Sequence, residues 1–149
     1  MQKARDIMTS NVITVTPETS VTDLARLLAA QNIGGVPVVD ASGNLLGVVT
    51  ESDLIDQTKR IHIPTVVAIL DSLIFLERPD KMEKDIRKFA GATVADIYSK
   101  NPLTVEEDTP LDELATIMAE KNAHTLPVLR AGQLVGVIGK GDIIRTLAS

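Results

Sequence analysis

The chain has 149 residues, a net charge of −5, no cysteine, no tryptophan, one tyrosine and two phenylalanines. That length admits one domain, or two small ones around a shared aliphatic core. The acidic balance and the lack of stacking rings argue against a nucleic-acid reader, and the missing thiols exclude disulfides and thiolate chemistry. No apolar signal core follows Met1-Gln2-Lys3-Ala4-Arg5-Asp6, and the longest apolar run, Val66 to Leu76, is broken by Asp71 and Ser72. A bilayer span needs roughly 20 apolar residues, so no membrane contact is expected and a cytoplasmic location is the default.

The chain repeats itself. Asp6-Ile7 recurs as Asp96-Ile97, Ile13-Thr14-Val15 as Leu103-Thr104-Val105, Leu24-Ala25 as Leu114-Ala115, Asn32 as Asn122 and Pro37-Val38 as Pro127-Val128, all at an offset of 90. After a turn the offset becomes 89, pairing Gly47-Val48 with Gly136-Val137 and Asp53 with Asp142. One residue lost in a turn is the change a duplicated unit tolerates.

Both copies follow one local grammar. A short extended piece comes first, Val12 to Val15 and Leu103 to Val105. A helix follows. In the first copy Ser20 with Asp23 has the spacing of a capping box. In the second, Thr109 is expected to cap, with Pro110 at the first helical position and Asp112 behind it. Apolar residues at 21, 24, 25 and 28, and at 111, 114, 115 and 118, share one helical face. Asn32 and Asn122 suit left-handed C-caps.

Two strands come next. Val36 to Val39 and Leu45 to Val49 flank the turn Asp40–Asn44, while Leu126 to Leu129 and Leu134 to Ile138 flank Arg130–Gln133. Pro37 and Pro127 cannot donate to a ladder, so they belong at a strand start or an edge. A second helix begins near Ser52 and near Gly141. Each unit is therefore β-α-β-β-α, and a unit of roughly 50 residues buries too little surface to stand comfortably alone. The expected class is α+β, with two sheets packed face to face and helices outside. The expected boundaries are 1–55, 56–92 and 93–149. In the middle segment, Val66, Val67, Ile69, Leu70, Leu73 and Ile74 have helical spacing, and Asp80 with Glu83 opens a second helix carrying Met82, Ile86 and Phe89 to a stop at Gly91. These two insert helices would cover the edge of the core or form a docking surface.

The repeat resembles the cystathionine-β-synthase-type (CBS) domain, and the tandem resembles a Bateman module of the stand-alone bacterial kind. The matching stretches are Asp6-Ile7-Met8-Thr9, Val36-Pro37-Val38-Val39-Asp40 and Gly47-Val48-Val49-Thr50-Glu51-Ser52-Asp53. Asp96-Ile97-Tyr98, Leu126-Pro127-Val128-Leu129 and Gly136-Val137-Ile138-Gly139-Lys140-Gly141-Asp142 echo them. The resemblance implies a regulatory module with pseudo-two-fold symmetry, binding AMP, ADP or ATP, or alternatively S-adenosylmethionine, in clefts between the repeats. It implies no cofactor needed for folding, a homodimer, and a regulated partner protein. The start at Met1 and the end at Ser149 suit a stand-alone chain.

The family's ribose-phosphate signature is matched by Gly47, Val48, Thr50 and Asp53. A carboxylate can accept from both hydroxyls of a ribose diol, and a threonine hydroxyl can donate to ribose or phosphate oxygens. Gly47 would remove a side chain where the ligand approaches. Thr-x-x-Asp at a strand-to-helix junction is equally a capping box, and one residue can serve both ends. The second copy keeps Asp142 but has Gly139 in place of the hydroxyl. By family analogy His124 and Thr125 would complete the Thr50/Asp53 cleft, giving one stronger and one weaker site, while Asp142 would meet Gly34 and Gly35. Thr125 stands where family sites often carry Arg. Ile13, Thr14, Val36, Leu103, Thr104 and Leu126 are candidates to hold the base, or to be core.

Catalysis has no foothold in the sequence. There is no P-loop, no metal-ligand spacing, and His62 and His124 lie far apart. The competing expectation is a dimerisation or protein-interaction module whose clefts are empty, resting on Gly139, the sparse basic residues and the apolar insert.

Overall fold

The computed structural model describes residues 2–58 and 91–148. The expected insert helices, with His62 and the apolar face around Val66, Leu70 and Leu73, lie outside the described residues.

The first repeat opens with a single helical turn, α1 (Ala4–Ile7), closed by the Asp6 carboxylate accepting from the Lys3 N–H at 2.8 Å. Helix α2 (Val21–Gln31) follows. Ser20 caps it as expected, its hydroxyl accepting from the Asp23 N–H at 3.0 Å. Asn32 ends it in the left-handed region, φ 52°. Strands β1 (Gly35–Val39) and β2 (Leu45–Thr50) form the antiparallel hairpin, and α3 (Glu51–Thr58) completes the unit. In the turn between the strands, the Asp40 carboxylate accepts from the Ser42 and Asn44 N–H groups at 2.9 Å. The Asn44 backbone bond is the main cause that holds this carboxyl below its usual range.

The second repeat matches it. A 3-10 turn (Val94–Asp96) is closed by Asp96 accepting from the Thr93 N–H at 2.8 Å, the counterpart of α1. Strands β3 (Ser99–Lys100) and β4 (Val105–Glu106), helix α4 (Leu111–Lys121), the hairpin β5 (Thr125–Arg130) and β6 (Gln133–Gly139), and helix α5 (Lys140–Ala148) follow. Asn122 is left-handed like Asn32, φ 52°. The expected cap at Thr109 is not what forms. Pro110 holds the N-cap position in extended geometry, φ −67° and ψ 152°, with no side-chain cap bond, and α4 starts at Leu111. Proline's fixed φ suits an N-cap as well as a first helical residue, so the helix starts one position later than its sequence suggests.

The described residues form two three-stranded sheets, β1-β2-β3 and β4-β5-β6. In the first repeat the opening extended piece is reduced to one parallel bridge, Val15 to Val38. In the second it survives as β4, parallel to β5. Pro37 sits on β1 with its carbonyl accepting from Val15, on the side away from β2. Its missing N–H therefore costs the β1–β2 ladder nothing.

The two repeats exchange their opening segments. The first sheet's core (Val15, Leu24, Leu28, Val36, Val38, Val49) takes in Val94, with Ile97 and Tyr98 packed against it. The second sheet's core (Val105, Leu114, Met118, Leu126, Val128, Ile138, Ile143) takes in Ala4, with Ile7 and Met8 against it. Backbone bonds fix the exchange: Ala4 N–H to Thr109 O at 2.8 Å, Val94 N–H to Thr19 O at 2.8 Å, and a reciprocal pair between Thr9 and Val137 at 2.9 and 3.1 Å. The third strand of the first sheet, β3, comes from the start of the second repeat, pairing Gly47 with Lys100 and Val48 with Ser99. Two hollows receive the crossing side chains. A Cβ on Gly136 would collide with Met8, and one on Gly47 would collide with the Ser99 carbonyl and the Tyr98 ring. The two sheets are in close contact at Gly35, where a Cβ would lie 2.6 Å from Thr125 Oγ1. Among the described residues, no helix is long and apolar enough to cross a membrane.

Candidate functional site

The junction between the repeats holds a cavity of about 450 Å³, within the range of small-molecule sites. The first repeat supplies Thr9, Asn11, Ile13, the stretch Asn32 to Val36, and Glu51. The second supplies His124, Thr125, Val137, the stretch Gly139 to Asp142, and Arg145. The cavity owes its walls to three local features. The Thr9–Val137 backbone pair leads the opening segment across to β6 and on to Ile13. The left-handed turn at Asn32 and the two glycines after it leave the entrance of β1 free of bulk. The β6-to-α5 junction turns helix α5 with its first residues towards the space.

That junction carries the most organised chemistry. Asp142 Oδ2 accepts from the Gly139 N–H at 2.8 Å, closing the strand-to-helix turn. Asp142 Oδ1 is ion-paired with Arg145 one turn along α5. The Asp142 side chain is 10% exposed and that of Arg145 is 73% exposed, so an exposed cation covers a nearly buried anion. Lys140 adds a second cation with no ion pair among the described residues, and Glu51 sets its carboxylate 3.7 Å from where a Cβ on Gly34 would stand. The lining thus offers two carboxylates, Asp142 with a partner on each oxygen and Glu51, two cations, the His124 ring, the Asn11 and Asn32 amides, the Thr9 and Thr125 hydroxyls, and apolar surface from Ile13, Ile33 and Val137. Among the described residues no cluster of His, Cys, Asp or Glu could hold a metal ion.

Of the residues singled out from sequence, Ile13, His124, Thr125 and Asp142 meet in this cavity, joined by Val36. Thr50, Asp53, Gly47, Thr14 and Thr104 are not part of its lining. Thr50 and Asp53 hold each other: Asp53 Oδ2 accepts from the Thr50 N–H at 2.9 Å and hydroxyl at 3.2 Å, and the Asp53 N–H donates to Thr50 Oγ1 at 3.3 Å. The capping box that their spacing allowed is therefore formed. The space beside Gly47 is filled by Tyr98 and Ser99 of the crossing segment. Thr14 is exposed, Thr104 half-buried, Leu103 exposed, and Leu126 fully buried in the second core. His124 and Thr125 share a wall with Asp142 and Gly139, where the Asp53 side had been expected.

Sequence reasoning missed Thr9, Asn11, Glu51, Lys140 and Arg145. A signal for the last two was present. At the matching offset of 89, Lys140 stands against Glu51 and Arg145 against Asp56, so the second copy's helix start is basic where the first is acidic.

The sequence profile of the CBS domain matches the chain twice, at residues 4–60 and 94–149. The chain is 31% identical to the chloroplastic CBS domain-containing protein CBSX2 of Arabidopsis thaliana over 94% of its own length, spanning 61% of that protein. It is 28% identical to protein MJ1426 of Methanocaldococcus jannaschii, covering 96% of this chain and 89% of that one. The crystal structure of CBSX2 in complex with AMP superposes with a TM-score of 0.74 at 29% identity, covering 99% and 97% of the two chains. The CBS domain pair of MJ0100, in complex with 5′-methylthioadenosine and S-adenosyl-L-methionine, superposes with a TM-score of 0.72 at 24% identity over 99% and 97%. With the duplicated α+β unit, the exchanged segments and the inter-repeat cavity in place, the chain belongs to the CBS domain family as a tandem pair.

Proposed function

We propose that this protein is a regulatory sensor that binds an adenosine nucleotide or related adenosyl compound between its two repeats. The observation that carries the reading is the cavity at the repeat junction, with Asp142 at the start of α5 and both repeats in its wall. CBSX2, at 29% identity, binds AMP. In this reading the base lies against Ile13, Val36 and Val137, the ribose turns to Asp142, and the phosphate meets Lys140 and Arg145, with His124 and Thr125 beside them. Thr50 and Asp53, with Thr14 and Thr104 near the base, serve a second, pseudo-symmetric cleft. A ligand that touches both repeats shifts their arrangement by the difference in its affinity for the two states, which is the signal passed to a partner protein.

The test is calorimetric titration and thermal shift with AMP, ADP, ATP and S-adenosylmethionine on the wild type, D142N and D53N. Ligand at about 100 times its Kd should stabilise the fold by about 2.7 kcal/mol. A saturable response lost in D142N assigns the ligand to the cavity, and one lost in D53N assigns it to the other cleft. A folded wild type that responds to none of the four refutes the reading.

A second reading, a self-association module, is favoured by one observation. Ile55 on α3 and Ile144 on α5 hold matching positions in the two repeats and are 57% and 63% exposed, with Leu147 at 75%. Exposed apolar side chains at the same place on both helices offer contacts to a second copy, for which a closed two-fold dimer is the commonest arrangement. Sedimentation of I55E/I144E should then give a monomer, and an unchanged dimer would place the interface elsewhere.

A further inference from the structure

The pseudo-symmetry supplies an internal control for Asp142. Asp53 and Asp142 hold equivalent places, and each commits Oδ2 to the backbone N–H three residues earlier, Thr50 at 2.9 Å and Gly139 at 2.8 Å. They differ at Oδ1. That of Asp53 takes no hydrogen bond among the described residues, whereas that of Asp142 is paired with Arg145. The difference traces to one position, because Asp56 stands where the second repeat has Arg145, and a carboxylate cannot pair with Asp53. Arg145 also lines the cavity, its Nη1 lying 3.3 Å from where a Cβ on Gly141 would stand, so it lies along the first turn of α5.

We infer that Arg145 is a latch on Asp142 that makes the cavity selective for phosphorylated nucleosides over the bare nucleoside. The inference rests on the adenosine-ligand reading and deepens it. A ribose diol is held with one hydroxyl on each carboxylate oxygen; Oδ2 of Asp142 keeps a lone pair beside the Gly139 N–H, but the Arg145 guanidinium sits on Oδ1. To place a hydroxyl on Oδ1 a neutral nucleoside must displace the guanidinium into solvent with nothing in exchange. A phosphorylated one offers the guanidinium a second anion, to which it can make a bidentate, charge-assisted contact, while the ribose takes Asp142. Lys140, with no ion pair among the described residues, stands on the same wall and adds attraction for the same group. Because Arg145 is largely exposed, its release costs a nucleoside only a few-fold in affinity, so the latch sets a preference and does not block the site.

The experiment is calorimetric titration of AMP and adenosine into the full chain, comparing wild type, R145Q and R145K. Each is repeated in a D53N background, where the amide oxygen still accepts from the Thr50 N–H and the reading is confined to the Asp142 side. R145Q is expected to tighten adenosine about threefold and weaken AMP about threefold, narrowing the AMP-to-adenosine ratio roughly tenfold, while R145K keeps most of that ratio. Far-UV circular dichroism and Tm confirm the fold, which an exposed substitution leaves intact. If wild type binds AMP and the ratio is unchanged in R145Q, or adenosine weakens, the latch is overturned and the sensor reading stands. If wild type binds neither compound, the sensor reading itself falls and the latch with it.

Discussion

The two hollows at the exchange points make the same substitution unequal in the two repeats. In Gly47→Ala the new methyl meets the Ser99 carbonyl and lies 2.7 Å and 2.9 Å from the Tyr98 ring carbons. The carbonyl is backbone, tied into the sheet by the pairing of β3 with β2, so relief requires the two strands to part. Overpacking of about 1–3 kcal/mol and the loss of a ladder bond of about 1 kcal/mol are offset by the 0.5–1 kcal/mol that alanine gains over glycine in a strand, roughly. The net cost is about 1–3.5 kcal/mol by those terms, centred on about 2 kcal/mol. In Gly136→Ala the obstacle is the Met8 side chain, its Sδ and, at 2.8 Å, its Cγ. A thioether with three rotatable bonds moves aside for about 1 kcal/mol, which the same alanine gain nearly cancels. Urea denaturation should therefore separate the variants by about 2 kcal/mol, and Tm by roughly 4–8 °C. Adding Tyr98→Ala to Gly47→Ala should not restore stability, because the carbonyl remains. Equal costs within about 0.5 kcal/mol, or full rescue by Tyr98→Ala, would refute the backbone clash as the cause.

Two further predictions test local bonds. Ser20→Ala should cost about 1 kcal/mol in urea denaturation, while Thr109→Ala should be close to neutral, because only Ser20 makes a side-chain cap bond; equal losses would contradict the N-cap geometry at Pro110. Glu107 Oε1 accepts a hydrogen bond from Arg130 Nε at 2.9 Å, Nη2 lies 2.9 Å from Oε2 as an ion-pair contact, and the hydrogen bond holds the carboxyl below the usual range. A carboxyl with a lowered pKa in the fold contributes stability above its unfolded pKa and loses it as pH falls through the folded value. The advantage of wild type over Arg130→Gln should therefore be full near about pH 6 and shrink as pH falls below the ordinary carboxyl pKa of about 4.3 and through the lower folded value. A constant gap in urea midpoints across that range would show that the pair does not titrate as described.

The parts legible in sequence are those fixed within a single repeat. The β-hairpins followed from runs of β-branched residues around Asp40–Asn44 and Arg130–Gln133, and the helix ends from Asn32 and Asn122, whose left-handed φ few residues tolerate. The start of α4 was misplaced by one residue because proline fits either side of the boundary. Strand β3 was invisible, since Ser99 and Lys100 are exposed, have no apolar alternation, and find their register only against a strand some fifty residues earlier. The site was legible in part for the same reason. The Asp142 junction is local and stood out in the sequence, but Thr9 and Asn11 reach the cavity only through the exchanged segment, and the residues packed against Gly47 belong to the other repeat.

The crossing segments also bear on ancestry and on dissection. One repeat expressed alone would lack the residue that plugs its own glycine hollow and would display an opening arm with no sheet to sit on. It could meet both needs only by trading arms with an identical copy. The present tandem has the internal geometry of such an intertwined pair joined into one polypeptide, so the natural unit of excision, grafting or shuffling is the pair and not the motif that the sequence repeats.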